Sequence, residues 1–291
     1  AKVEGVFGMW YGQGPGVDRC GAVFRHANAA GTVALGGVLA LAADDHACRS
    51  STLPHGSEEE FVSAMMPVLN PAGVQDILDM GLLGWAMSRY TGRWIGFKTI
   101  AETVESSASV EVDPMARAIV LPGDEDFALP AGGLNIRWPD PPMEQEMRLH
   151  RYAVNAAQAF ARANRIDRVV MDSPQRRLGI VTTGKSYLDV LQALEYLGLD
   201  GDACRHIGIS VYKVGMSWPL EPQGISAFAR GHQDIVVVEE KKAFIERQMK
   251  EIFYNWPSSW GARPSIVGKY DEQGQWILPS TGELTPATIA G

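Results

Sequence analysis

Cysteine is scarce in this 291-residue chain: Cys20, Cys48 and Cys204 are three, an odd number at wide spacing. They cannot build a four-cysteine cluster or a zinc site, and they fit a reduced, cytoplasmic protein. Positive charge is also short. Lys and Arg number 26 against 34 Asp and Glu, a net charge of −8 at pH 7, so no basic face for nucleic acid is expected. No apolar run approaches the roughly 18 residues of a membrane span, so no membrane partner is expected. The first residues carry no signal-peptide pattern, and no methionine opens the chain. A strand at Val3–Trp10 feeds directly into a glycine-rich loop. That start implies a piece of a longer polypeptide from which earlier βα units are missing.

What is present is a 46% hydrophobic composition, ample for a packed core, in a length that suits two ordinary domains. The apolar run Gly36–Ala42 is short, continuous and stopped by charge, so it reads as a buried strand. It ends in the turn Asp44-Asp45-His46-Ala47-Cys48-Arg49-Ser50-Ser51-Thr52. Carboxylates, imidazole, thiol and hydroxyls gather there at a strand's C-terminal end, where open α/β sheets place ligands. Helix capping plus solvated charge is the alternative for any one of these residues.

Upstream, Tyr11-Gly12-Gln13-Gly14-Pro15-Gly16-Val17-Asp18-Arg19 has three glycines without the dinucleotide spacing, and Pro15 removes a backbone donor. It reads as a tight loop, either approaching a ligand or merely turning, with Asp18 capping a helix Arg19–Ala30. Ser57-Glu58-Glu59-Glu60 has the capping-box pattern for a helix over 58–66. A strand at 67–71, a helix over 72–89 and a strand at 94–100 complete a β-α-β-α-β-α-β order. Residues 104–146 read as a loop-rich linker holding a short strand at 118–121, and a helix covers 143–163.

The second half repeats the alternation, with strands at 178–182, 207–212 and 234–239 and helices at 186–197, 222–231 and 242–254. The tail from Trp256 is rich in Pro, Trp and Gly and reads as a connector. Gly179-Ile180-Val181-Thr182-Thr183-Gly184-Lys185-Ser186 matches the P-loop pattern. No strand precedes Gly179, however, and the only strand available falls inside the would-be loop. A P-loop nucleotide-binding protein is thus the alternative function, and a non-catalytic scaffold or interface segment is another.

Several stretches together resemble the thiamine-diphosphate-dependent 2-oxoacid:ferredoxin oxidoreductases, above all the long fused indolepyruvate ferredoxin oxidoreductases of bacteria. Gly8–Gly12, Gly14–Arg19, Phe24–Thr32, Asp44–His46, Ser50–His55, Pro67–Pro71 and Gly96–Thr99 resemble the family's pyrimidine-binding domain. Gly179–Tyr187, Val211–Pro222 and Val236–Phe244 resemble the transketolase C-terminal-type domain that follows it. The resemblance implies an α/β fold of two three-layer parallel-sheet domains. Residues 1–125 would be the pyrimidine-binding domain, 126–172 a linker and helix, 173–262 the second domain and 263–291 a connector.

It further implies oxidative decarboxylation of an aryl pyruvate such as indolepyruvate to the acyl-CoA. Thiamine diphosphate is the cofactor, coenzyme A the acyl acceptor and ferredoxin the electron acceptor; the remaining domains of the enzyme are partners, in a homo-oligomer. Mg²⁺ and [4Fe-4S] clusters belong to parts outside this chain, so no metal site and no independent activity are expected here. By the same resemblance Tyr11, Gly12, Gly14, Gly16, Asp44, Asp45, Ser50 and Ser51 face the cofactor. His46 and His55 are the candidates for proton transfer, and Arg19 and Arg49 for the substrate carboxylate. A histidine in a turn has a plain hydrogen-bonding role as its alternative, and Cys48 reads as a small inert residue.

Overall fold

The computed structural model describes residues 5–113 and 118–291; Val3 and Glu4, where the first strand was expected to begin, lie outside them. The chain divides into two compact units, residues up to Asp45 with His55–Ile166, and His46–Pro54 with Asp167–Gly291. The division differs from the expected one in three respects. The helical run from Pro142 belongs to the first unit, the segment 263–291 belongs to the second rather than acting as a connector, and the turn 46–54 belongs to the second as well.

The first unit runs β1 (Phe7–Gln13), α1 (Gly14–Arg19), α2 (Gly21–Ala30), β2 (Gly37–Asp44), α3 (Glu58–Ser63), β3 (Val68–Leu69), α4 (Val74–Thr91), β4 (Trp94–Ile100), α5 (Ala101–Val104), α6 (Pro142–Arg148) and α7 (Val154–Ala163). One π-helical turn, Leu149–Ala153, joins the last two into the single helix that alanine-rich periodicity indicates. The strands are parallel in the order β1-β2-β4-β3, and the register pairs Gln13 with Ala43 and Ala43 with Thr99. The C-terminal ends of β1, β2 and β4 therefore lie side by side. Side chains alternate across the sheet: Trp10 meets Phe24 of α2 at 4.9 Å, whereas Phe7, of opposite parity, meets Trp85 of α4 at 5.0 Å. The helices thus form two layers about the sheet, cored by fully buried Phe24, Phe61, Leu69, Met87 and Ile95. Gly92 closes α4 in the left-handed region, φ 65°, and any side chain there would strike the Leu134 carbonyl.

Three local expectations are corrected. The stretch Tyr11–Arg19 is strand and then helix rather than loop: Pro15 occupies the first turn of α1, where a missing N–H costs nothing. Ser57 makes no side-chain cap on α3, because its hydroxyl serves Asp44 instead. No strand forms at 118–121; the Val120 N–H and carbonyl pair with the Asn164 side chain at 2.9 and 2.7 Å in place of a neighbouring strand.

In the second unit come β5 (Arg168–Met171), β6 (Leu178–Thr183), α8 (Lys185–Tyr196), α9 (Gly201–Ile207), β7 (Ile209–Val214), β8 (Met216–Trp218), α10 (Pro222–Ala229), β9 (Asp234–Val238), α11 (Ile245–Phe253), β10 (Ser265–Val267) and α12 (Pro286–Ala290). The sheet order is β10-β9-β6-β7-β5, parallel except for β5 against β7. The tail enters the core: Leu278 and Leu284 are buried with Ile180, Val190, Leu194, Val211 and Val238. Both units are α/β, as the alternating pattern requires. No helix among the described residues is long and apolar enough to cross a membrane.

Candidate functional site

β2 ends on Asp44, whose carboxylate is 1% exposed. The backbone N–H of Ser57 donates to Oδ2 at 2.9 Å and the Ser57 hydroxyl to Oδ1 at 2.5 Å. His55 Nδ1 lies 3.2 Å from Oδ1 and the Lys98 ammonium 3.7 Å from Oδ2. Lys98, 3% exposed on β4, also pairs with Glu58 at the start of α3. On its other side, His55 Nε2 is 3.1 Å from Oδ1 of the exposed Asp18 on α1. The result is a line of ionisable groups, Lys98–Asp44–His55–Asp18, from a buried ammonium to solvent at the C-terminal ends of β2 and β4.

The electrostatics follow from this geometry. Burial alone would push the Asp44 carboxyl up, but hydrogen bonds from His55 and Ser57 and the Lys98 charge outweigh it and hold it well below the usual carboxylate range. His55 moves the other way: its hydrogen bond to Asp44, opposed by partial burial, and the charges of Asp44 and Asp18 raise its pKa above 6.5. Two carboxylates, Asp44 and Glu58, flank the Lys98 ammonium, and a third, Asp18, stands on the far side of the His55 ring. An imidazolium donating from both ring nitrogens satisfies two of them. The raised pKa favours the protonated ring, and such a group can pass its proton toward the exposed Asp18 end.

Gly14, first residue of α1, makes room for this ring: a Cβ there would collide with the His55 imidazole. Among the described residues, nothing beyond its own neighbours and helix backbone lies within 4 Å of the Cβ position of Gly16, so α1 faces open space there.

The structure separates the residues that the sequence groups together. Tyr11, Gly12, Gly14, Gly16, Arg19, Asp44, Asp45 and His55 lie in the first unit, and His46, Arg49, Ser50 and Ser51 in the second. Tyr11 is 80% exposed on the edge strand β1. Gly12 lies within that strand, where the Trp10 ring fills the space of a side chain. Arg19 is exposed in the last turn of α1. Asp18, expected as a helix cap, instead sits inside α1 and holds His55. His46 is buried, and its carbonyl accepts a bond from Lys241. Arg49 pairs with Glu283 at 2.7 Å. Cys48 takes a left-handed backbone, φ 59°, and its thiol is 2.6 Å from the Ser51 carbonyl.

Sequence reasoning missed Lys98, Ser57 and Glu58 as members of the cluster. The signal for Lys98 was present, since a lysine inside the apolar strand Trp94–Ile100 is buried only with partners.

The P-loop match dissolves in the structure. Gly179–Thr183 is the body of β6, its amides committed to neighbouring strands. The Lys185 ammonium bonds Asp189 at 2.6 Å and the Leu284 carbonyl at 2.7 Å. No group of His, Cys, Asp and Glu among the described residues is arranged to hold a metal ion.

Comparison with known proteins gives a consistent picture. Residues 167–290 match the indolepyruvate ferredoxin oxidoreductase middle domain. The indolepyruvate oxidoreductase subunit IorA of Pyrococcus abyssi is 25% identical over 252 residues, covering 86% of this chain and 36% of that protein. IorA of Methanothermobacter marburgensis is 23% identical over 264 residues, covering 88% and 38%. The chain therefore spans little more than a third of the length of these relatives. A 2-oxoglutarate:ferredoxin oxidoreductase from Magnetococcus marinus, solved with 2-oxoglutarate, coenzyme A and succinyl-CoA bound, superimposes with a TM-score of 0.58 at 13% identity, over 99% of this chain and 52% of that one. A split-gene transketolase, an inactive β4 tetramer, gives 0.53 at 12% identity, over 98% and 73%. At such identities these two likenesses speak for the fold alone.

Proposed function

We propose that this chain, similar to the indolepyruvate ferredoxin oxidoreductase middle domain and to IorA, forms part of an enzyme that oxidatively decarboxylates an aryl 2-oxoacid. The acyl group goes to coenzyme A and the electrons to ferredoxin. The observation that carries the reading is the likeness to IorA over 86% of the chain, across both units rather than one motif.

The donor set of the first unit suits one wall of a thiamine-diphosphate site. An imidazole and carboxylates stand at parallel strand ends beside a glycine-opened helix turn with open space at Gly16. It does not suit the diphosphate's metal, since no metal-holding group exists among the described residues. When bound, thiamine diphosphate supplies the electron sink that decarboxylation of a 2-oxoacid needs. This chain's residues do the rest of what can be assigned. His55 holds a proton between Asp44 and Asp18 and delivers it at Nε2. Lys98 and Ser57 help to keep Asp44 ionised, and Asp44 in turn favours the protonated form of His55 and orients its ring. Gly14 lets the ring stand against α1. Arg49 or Arg19 pairs the substrate carboxylate, and Ser50 and Ser51 are candidates to face the cofactor.

Trp10 lies on β1, whose C-terminal end leads into α1, and provides an optical reporter. Titrating the full-length polypeptide with thiamine diphosphate should change tryptophan fluorescence saturably, and ATP should not. Saturable ATP binding lost on Lys185→Ala would sink the thiamine reading for the second unit.

A further inference from the structure

The turn that carries Arg49 leaves the first unit after Asp45 and returns at His55, and in between it belongs to the second unit. Two contacts hold it there. Glu283 Oε1 accepts from Arg49 Nη2 at 2.7 Å. The Lys241 ammonium donates to the His46 carbonyl and, at 2.6 Å, to the Gly282 carbonyl. Both contacts trace back to the core of the unit. The next residue, Leu284, is fully buried among Ile180, Val190, Leu194, Val211 and Val238. Its N–H donates to both carboxylate oxygens of Glu240 at 3.1 Å, and its carbonyl accepts from Lys185 at 2.7 Å. Lys241 itself sits in the left-handed region, φ 58°, a conformation that a non-glycine residue keeps only where its surroundings fix it. Glu283 and Lys241 thus stand next to residues anchored in the core, Leu284 and Glu240, and they grip the turn on both sides of Cys48.

We infer that Glu283 and Lys241 are positioning residues: they fix the turn 46–54 so that the Arg49 guanidinium is preset for the carboxylate of the 2-oxoacid. The inference rests on the function proposed above for Arg49. It deepens that reading by giving the C-terminal segment a part in substrate recognition. A carboxylate partner suits the task, since it holds a guanidinium in a defined rotamer before a second carboxylate arrives.

Two readouts on the full-length polypeptide test it. The first is limited trypsin digestion, which reports directly on capture of the Arg49 side chain. Glu283→Gln should speed cleavage after Arg49 about three- to fivefold, the effect of losing one partly exposed ion pair. Lys241→Met should speed it further, and Glu283→Asp should restore part of the protection. Other tryptic sites and the melting temperature should hold steady. The second is steady-state turnover, where Glu283→Gln should raise KM for the 2-oxoacid by a similar factor with kcat nearly unchanged. Unchanged cleavage after Arg49 overturns the positioning itself. Faster cleavage with an unchanged KM overturns the link to substrate. If the wild-type enzyme turns over no 2-oxoacid, the functional reading falls, and the digestion still decides whether the turn is held.

Discussion

Replacing Asp44 by Asn tests the cluster at its centre. The substitution keeps shape and one acceptor for the Ser57 N–H, but it removes the charge that faces Lys98 at 3.7 Å and His55 at 3.2 Å. Breaking a buried ion pair costs about 3–5 kcal/mol. Because Lys98 retains Glu58, the lower end applies, about 3 kcal/mol, or roughly 6–12 °C in Tm for a protein of this size. The pH dependence is signed. Asp44 has a depressed folded pKa, so its stabilisation is present above 3.8 and is lost as pH falls through the folded value. His55 has a raised one, so its stabilisation is complete below 6.5 and is lost as pH rises through the folded value. The gap in Tm between wild type and Asp44→Asn should therefore be widest near pH 5–6 and should narrow in alkali. Proton NMR of the histidine ring signals, with His55 assigned through His55→Gln, should place its midpoint above 6.5 in the wild type. In Asp44→Asn the midpoint should drop, since the hydrogen bond to Asp44 is the largest cause of the rise. An unmoved His55 midpoint, with a pH-independent gap in Tm, would refute the coupling.

Other consequences are open to measurement. Gly14→Ala should displace the His55 ring, lowering its NMR midpoint toward 6.5 by loosening the Asp44 contact, and should lower the melting temperature with it. Asp167, half-buried, has Oδ1 taking the Gly215 and Met216 N–H groups at 2.7 and 2.9 Å; burial of its carboxyl raises the pKa to about 7. A raised acid stabilises fully below its unfolded value of 3.8 and has lost that contribution once pH has risen through about 7, so Asp167→Asn should flatten the fall in stability between 3.8 and about 7. Equal pH profiles for the two proteins would contradict it.

Much of the architecture was legible because parallel strands buried on both faces announce themselves as apolar runs. Trp94–Ile100 and Asp234–Val238 needed little beyond that. β5 escaped notice because Arg168–Met171 is short and sits antiparallel at a sheet edge, with only one neighbour. α9 had its signals in plain view, Asp200 capping the Ala203 N–H at 2.8 Å and Gly208 ending the helix at φ 100°, but few apolar positions between them. The tail reads as a connector because it is rich in Pro, Trp and Gly, yet two leucines six residues apart, Leu278 and Leu284, seat it in the core. Proximity in sequence misled most at the site. Asp44 and His46 are two residues apart but lie in different units, while Asp44 and Lys98 meet across parallel strands. No local pattern encodes that pairing. It comes from the β2–β4 register, which sets Ala42 beside Lys98 and Asp44 beside Ile100.

The most direct measurement is anaerobic turnover by the full-length polypeptide, with reduction of ferredoxin followed spectroscopically against thiamine diphosphate, coenzyme A and a series of 2-oxoacids. The account predicts reduction that requires all three, runs fastest with aryl pyruvates, and falls in Arg49→Ala through a raised KM. Reduction independent of thiamine diphosphate, or no reduction with any 2-oxoacid, would contradict it.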